Sequence, residues 1–321
     1  MPYPWSAICL AVLGGLGLAV TCMPAYLAWA RRHGWGQVIR EEGPKDHLSK
    51  AGTPTMGGLV LILAGIAAGL WNVTSADAWV MRLAVLACAA LGFVDDLSKV
   101  LKKRNLGLKA RHKLAAQAVI GILLGAWLVY FKGRTGVSLP VVGFVGSAWL
   151  VWAAALFIAA GASNAVNLTD GLDGLAGSTS AAALLGYTVV CALIGMPELA
   201  VCAAGLAGAS LGFLWFNSYP ARVFMGDTGS LGLGGALAAL ALLSGTEWLL
   251  AIIGGVFVME ALSVIIQVTY FKLTGGKRVF RMSPIHHHFE LGGLHEVQVT
   301  SRLALLGVML AICGIICYFG V

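Results

Sequence analysis

Charge is what this sequence has least of. Only 11% of its 321 residues are Asp, Glu, Lys or Arg, while 59% are hydrophobic. A soluble domain carries about 25% charged residues, so a water-facing globule is a poor description of this chain. Cysteine pairing is absent too. The seven cysteines, from Cys9 to Cys317, all lie in hydrophobic stretches and form no Cys-x-x-Cys pair. That argues against disulfides and thiolate metal sites and leaves small apolar core residues. No Gly-x-x-x-x-Gly-Lys-Ser/Thr occurs, which excludes a P-loop. The Asp-x-Asp-x-Asp-Gly order of an EF-hand is missing. The first hydrophobic run is too long for a signal-peptide core, and its positive charges follow it.

What is present is a succession of apolar runs long enough to cross a bilayer. They fall near 5–30, 55–71, 78–94, 114–131, 147–163, 175–195, 198–216, 231–246, 248–271 and 303–321. The expectation is an all-α, polytopic integral membrane protein of ten helices, one transmembrane domain over 1–321. Of 21 lysines and arginines, 18 fall in the loops after the odd-numbered helices; Arg82, Lys132 and Arg134 lie on the other side. The positive loops are cytoplasmic by this asymmetry, and both termini face outward. The net charge of +7 belongs to that face and suits anionic lipid, not nucleic acid.

Acidic and polar clusters recur on the same side. Asp227 sits in Gly226-Asp-Thr-Gly-Ser230, ahead of a run with no charge until Glu247. An Asp there is ordinarily a helix N-cap. A helix start also offers free N–H groups to phosphate, and a carboxylate beside them attracts Mg²⁺, which favours one or two carboxylates plus phosphates. Asp95 and Asp96 close the third apolar run, with Lys99 at i+4 and i+3. Adjacent carboxylates suit a general base or a metal site; a solvated helix end balanced by lysines is the plainer reading. Asn164, Asn167, Asp170 and Asp173 recur every third residue, a short polar ridge on a helix, broken by Gly171 and Gly174. With no Lys or Arg in that loop, metal or nucleotide contact is favoured. Thr53 is placed to cap the second helix, with Pro54 in its first turn and Gly43-Pro44 a turn before it; Lys50 is either a phosphate contact or a snorkelling charge. Phe224 and Met225 are either interface residues or a stacking surface for a base. Glu260 and Gln267 share one face of the ninth helix. His286-His287-His288 are consecutive, which argues against zinc and leaves phosphate or sugar contact and base chemistry.

The segments Gly52-Thr-Pro-Thr-Met-Gly-Gly58, Asp95-Asp-Leu-Ser-Lys99, Asn164-Ala-Val-Asn-Leu-Thr-Asp-Gly-Leu-Asp-Gly174, Val223-Phe-Met-Gly-Asp-Thr-Gly-Ser230 and Pro284-Ile-His-His-His-Phe-Glu290 resemble the phospho-N-acetylmuramoyl-pentapeptide transferase family. The resemblance runs in order along the chain, within the polyprenyl-phosphate N-acetylhexosamine-1-phosphate transferase superfamily. It implies a multi-pass enzyme of the bacterial inner membrane, commonly a homodimer, serving peptidoglycan synthesis and so cell shape and division. The reaction would move phospho-MurNAc-pentapeptide from UDP-MurNAc-pentapeptide to undecaprenyl phosphate, giving UMP and lipid I, with Mg²⁺ required. By matching motif positions, Asp95, Asp96, Asp227 and His286 are catalytic and Asp227 is the metal ligand. The uridine pocket would comprise Lys99, Asn167, Asp170, Gly171, Phe224 and Met225, with Phe224 beneath the base. Lys50, Thr55, Asn164, Asp173, Asn217 and Gln267 would line the cleft, and His287 and His288 would reach the lactyl-peptide arm. Ser283, Leu294 and Leu303-Ala304 depart from the usual pattern around the entrance to the last helix.

Both reactants of such a transfer are anionic, so a cation on the diphosphate lowers their repulsion. A single displacement with Asp95 keeping the lipid phosphate deprotonated is the preferred route; an aspartyl-phosphate intermediate stays open. A GlcNAc-1-phosphate transferase shares the aspartates and is the nearest alternative. A cation-coupled transporter is the more distant one, since its acids belong at the membrane midplane.

Overall fold

The computed structural model describes residues 5–36, 50, 52–72, 74–102, 107–140 and 142–320. Twelve helices are described in that range. They are α1 (Trp5–Arg32), α2 (Gly58–Ala68), α3 (Ala76–Lys102), α4 (Ala110–Ala126, continued by a wider turn to Phe131), α5 (Ala148–Thr169), α6 (Leu175–Leu193), α7 (Pro197–Asn217), α8 (Gly226–Ser244), α9 (Glu247–Ile253), α10 (Gly255–Leu273), α11 (Ile285–Glu290) and α12 (Glu296–Phe319). A short antiparallel hairpin, β1 (Val137–Leu139) and β2 (Gly143–Val145), links α4 to α5.

Nine of these helices are long and apolar enough to cross a bilayer. The second expected span is shorter than anticipated: α2 has only 11 residues, about 16 Å of helix. Thr53 does not cap it. Residues 54–58 run alongside 224–225 instead, with Phe224 N–H donating to Pro54 O (2.8 Å), Gly57 N–H to Phe224 O (2.9 Å) and Gly58 N–H to Met225 O (2.9 Å). The Gly43-Pro44 turn lies outside the described residues. The ninth expected span is two helices, α9 and α10, parted at Gly254.

The apolar residues sort by position in the bundle. α6, α7 and α8 are the interior, with over four-fifths of their spanning windows buried, whereas α1, α3, α4, α5, α10 and α12 surround them. Small residues permit this: α7 and α8 are largely Ala, Gly and Leu, which let helices approach closely. Exposed tryptophans sit at helix ends, among them Trp5, Trp29, Trp71, Trp149 and Trp215, the headgroup-level position of an amphipathic ring. All seven cysteines are free. Cys88, Cys191 and Cys202 are core residues as expected, but Cys9, Cys22, Cys313 and Cys317 face outward from α1 and α12.

The ends of α8 fix the polarity of the molecule. Asp227 is in its first turn. At its far end Arg134 donates to Leu242 O (2.8 Å) and pairs with Glu247. A helix of 19 residues spans about 28 Å, so the acids and Arg134 lie at opposite faces of the bundle.

Candidate active site

Asp95, Asp96 and Asp227 meet where the last turns of α3 cross the first turn of α8, and each offers an oxygen within 4.8 Å of the others. The crossing is close because Gly92 has no side chain; a methyl group there would collide with the Asp227 carbonyl. Gly226, at φ +72, turns the chain into α8 in a conformation that side chains disfavour.

The three carboxylates are held differently. Asp96 accepts the backbone N–H groups of Asp227 (3.1 Å) and Thr228 (2.9 Å) and the Thr228 hydroxyl (2.8 Å). It is therefore the cap of α8, supplied from another helix. The expectation that Asp227 caps α8, or that its first N–H groups stand free for phosphate, is corrected by this: Asp96 has taken the N–H groups of Asp227 and Thr228. Asp95 accepts Leu108 N–H (2.7 Å), with Lys99 Nζ at 2.6 Å and Lys113 Nζ at 3.6 Å. Gly107 lies against its carboxylate. Asp227 is the most open, with 13% of its side chain exposed against 2% and 4% for Asp95 and Asp96. Its Oδ1 receives Lys99 (3.0 Å) and Asn167 Nδ2 (3.0 Å), and Lys113 donates to Oδ2. Asn167 also donates to Ser230 Oγ (2.9 Å). Lys113, one of the lysines of the positively charged loops, is thus part of the cluster.

The three-residue ridge of the sequence comes apart here. α5 ends at Thr169, and Asp170–Gly174 form a turn into α6, with Gly174 at φ +77. Asn164 donates to Gln117 Oε1 (2.8 Å) and ties α5 to α4. Only Asn167 reaches the aspartates. Burial first, then the negative charges of Asp227 and Asp96, push the Asp170 carboxyl up to about 7. Asp173 faces a separate ionic cluster: Lys50 Nζ lies 2.8 Å from Asp173 Oδ1 and 2.6 Å from Glu296 Oε1, and Asp173 also accepts Ala221 N–H (2.9 Å). Asn217 accepts Gly174 N–H (3.1 Å) and donates to Val223 O (2.8 Å). Lys50, Asp173 and Asn217 therefore brace the turn and the α7–α8 loop instead of standing open in a cleft. Glu296, invisible as a site residue in the sequence, completes that brace.

The remaining expected contacts divide similarly. Thr55 is buried, and its carbonyl accepts Tyr26 OH (2.6 Å). Phe224 is half-buried on the segment paired with residues 54–58, but Met225 is fully buried and offers no stacking face. Gln267 accepts Val279 and Phe280 N–H (3.1 and 2.9 Å), so it holds the α10–α11 loop. It also lines a cavity of about 500 Å³ with Phe271, Lys272, Arg278 and Met282. His286 is fully buried, and its described partners are Glu260, His287 and Gly171, not the aspartates. His287 Nδ1 lies 2.7 Å from Glu290 Oε2, and His288 Nδ1 accepts Arg281 N–H (3.1 Å).

Comparison with known proteins gives the arrangement its relatives. Residues 78–245 match the Glycosyl transferase family 4 profile, and residues 50–62 match the phospho-N-acetylmuramoyl-pentapeptide-transferase signature 1. Proteins named phospho-N-acetylmuramoyl-pentapeptide-transferase align over nearly the whole chain. That of Geobacillus thermodenitrificans is 46% identical over 320 residues, covering 97% of this chain and 98% of its own. That of Halalkalibacterium halodurans is 45% identical over 304 residues, 93% of each chain. That of Bacillus subtilis is 44% identical over 314 residues, 96% of this chain and 97% of its own.

Proposed function

The chain belongs to the phospho-N-acetylmuramoyl-pentapeptide-transferase family, and from that premise we propose how its residues carry out the transfer. The reaction takes phospho-MurNAc-pentapeptide from UDP-MurNAc-pentapeptide to undecaprenyl phosphate and yields lipid I and UMP, the first membrane step of peptidoglycan synthesis. An oxygen of the lipid phosphate bonds to the sugar-bearing phosphorus, and the bond from that phosphorus to UMP breaks. The observation that supports this reading is the meeting of Asp95, Asp96 and Asp227 with Lys99 and Lys113 at one end of the bundle, where a soluble donor and a headgroup-level phosphate can both arrive. That position also weighs against the transporter alternative, whose acids belong at mid-span.

Lys99 and Lys113 offer ammonium groups to the diphosphate, and both already converge on Asp227. As formal charges, three carboxylates and two ammoniums leave one net negative charge, a donor set that fits a divalent cation. Asp227, the carboxylate with exposed surface, would hold Mg²⁺ with Asp95 beside it. Mg²⁺ bound there supplies neutralisation of the diphosphate charge that the attacking phosphate must approach. Asp96 holds Asp227 in place through the α8 cap. Asp95 has Lys99 at one oxygen and Leu108 N–H at the other, which supports a role in positioning the lysines ahead of the base role. A phosphate monoester loses its second proton with a pKa of about 6, so the acceptor is largely dianionic at neutral pH without help. A loss in Asp95→Asn that higher pH relieves would restore the base role.

The finer features follow the same premise: ten membrane passes with both termini outward, an inner-membrane location, and a homodimer. The defining experiment is UMP release in detergent. UDP-MurNAc-pentapeptide with undecaprenyl phosphate should release UMP, and UDP-GlcNAc little or none. Equal turnover of both donors, or preference for UDP-GlcNAc, would favour the GlcNAc-1-phosphate transferase. For the metal, Asp227→Asn should stay folded and release no UMP at any Mg²⁺ concentration; near-normal turnover would remove Asp227 from the site.

A further inference from the structure

Glu260 is wholly buried in α10. Its described partner for charge is not a lysine or arginine but His286, whose ring is also wholly buried. His286 Nδ1 lies 3.0 Å from Glu260 Oε2, and the His286 backbone N–H approaches the same oxygen at 3.5 Å. Both groups converging on one carboxylate oxygen fix the rotation of the imidazole as well as its place. The opposite ring nitrogen, Nε2, is buried without a hydrogen-bond partner among the described residues. It abuts Gly171, so closely that any side chain at 171 would strike it. Gly171 belongs to the turn after α5 that also carries Asp170.

A carboxylate buried at this depth is costly. Packing alone gives no reason to keep it, since an apolar side chain would fill the same volume. An unpartnered buried nitrogen is a second cost, removed only when something binds it. The two costs have one explanation. A buried carboxylate accepting from one imidazole nitrogen leaves the other free to act on a ligand, and it sets which of the two carries the proton.

We infer that Glu260 is a positioning residue for the transfer. It keeps the His286 proton on Nδ1 and turns bare Nε2 towards the 170–174 turn. There Nε2 accepts a hydrogen bond from a hydroxyl or N–H of the sugar-nucleotide donor. This deepens the transferase reading above and rests on it for the identity of the ligand. His287, whose ring centroid lies 4.1 Å from that of His286, packs against the imidazole from its own helix, and Asp170 shares the turn that Nε2 faces.

The test combines a spectroscopic and a kinetic measurement on the full-length enzyme in detergent. With ¹⁵N-labelled histidine, the His286 signals are identified as those lost in His286→Gln. The wild type should show Nδ1 protonated and Nε2 bare, and Glu260→Gln should show a mixture of tautomers. With UDP-MurNAc-pentapeptide, Glu260→Gln and His286→Gln should each lower kcat/KM for the donor by about 10²-fold. The double variant should lose little more than either single one, because one residue acts through the other. KM for undecaprenyl phosphate should not move. Nε2 protonated in the wild type, or losses that multiply in the double variant, would overturn the inference. Should Glu260→Gln fail to fold, Glu260→Asp is read by the same two measurements. If the wild type released no UMP from this donor, the transferase reading would fall, and the tautomer measurement would still decide whether Glu260 positions His286.

Discussion

Asp96 and Asp170 show how differently two acids of one site can be constrained. Asp96 uses both oxygens to accept from α8, through two backbone N–H groups and one hydroxyl. Asp96→Asn replaces one acceptor by an amide nitrogen, which must face a donor. The cost of leaving that donor unsatisfied is about 1–3 kcal/mol. We expect a lower melting temperature in detergent together with reduced UMP release, because the first turn of α8 also carries Asp227. A fully active variant of unchanged stability would show the cap to be dispensable. Asp170 has no such donors among the described residues, and burial with neighbouring charge raises its carboxyl to about 7. The sign follows from proton binding: between the ordinary carboxylate range and about 7 the folded protein holds a proton that the unfolded chain has released. Its contribution to stability is therefore complete below the ordinary range and is lost as pH rises through about 7. In EDTA, melting temperature should fall across that window, and Asp170→Asn should flatten the fall. A variant that keeps the wild-type slope would assign the pH dependence elsewhere.

The decisive contact between elements is the crossing of α3 and α8, and it is made by backbone. Gly92 lies against the carbonyl of Asp227, so the distance between the two acid-bearing helices is set by the absence of a side chain. On the other flank Gly58 of α2 meets Gly229 of α8 in the same way. Gly92→Ala would wedge α3 from α8 without touching any catalytic group chemically. Overpacking of this kind costs about 1–3 kcal/mol. We expect loss of UMP release out of proportion to the fall in melting temperature, since about 1 Å of misplacement can cost about 10²-fold in rate. Unchanged kcat in a folded Gly92→Ala enzyme would show that the carboxylates do not depend on this spacing. The Lys50–Asp173–Glu296 cluster acts at the same scale, joining the segment before α2, the 170–174 turn and the start of α12.

Across the whole molecule, the acids and the positively charged loops share one face, while Arg134 and Glu247 bind at the opposite end of α8. With the positive face inside, a single cysteine introduced at Lys132 in a cysteine-free background should be labelled from outside intact cells, and one at Lys277 should not. The reverse pattern would invert the orientation and place the site where no cytoplasmic donor reaches it. The outward-facing Cys9, Cys22, Cys313 and Cys317 make that background necessary.

Most of the membrane spans, the charge asymmetry of the loops and the acidic motifs are legible in the sequence because each is a local property. Hydropathy accumulates over neighbouring residues, and positive charge is counted loop by loop. Asp95 and Lys99 meet because four residues is about one helical turn. Asp227 could be singled out beside its glycines for the same reason. Which acid does what was not legible. The Asp96 cap on α8 joins residues over 130 positions apart. Lys113 pairs with Asp227 across 114 positions and Glu296 with Lys50 across 246, and even Glu260 and His286, 26 apart, lie on different helices. Periodicity misplaced Asp173, because a three-residue repeat predicts a common face only while the helix continues, and α5 stops at Thr169. Packing of α3 and α4 on α8, of α10 on α11 and of the segment before α2 on α12 decides these partners, and at the α3–α8 crossing its closeness depends on a glycine that the chain itself presents only as a missing side chain.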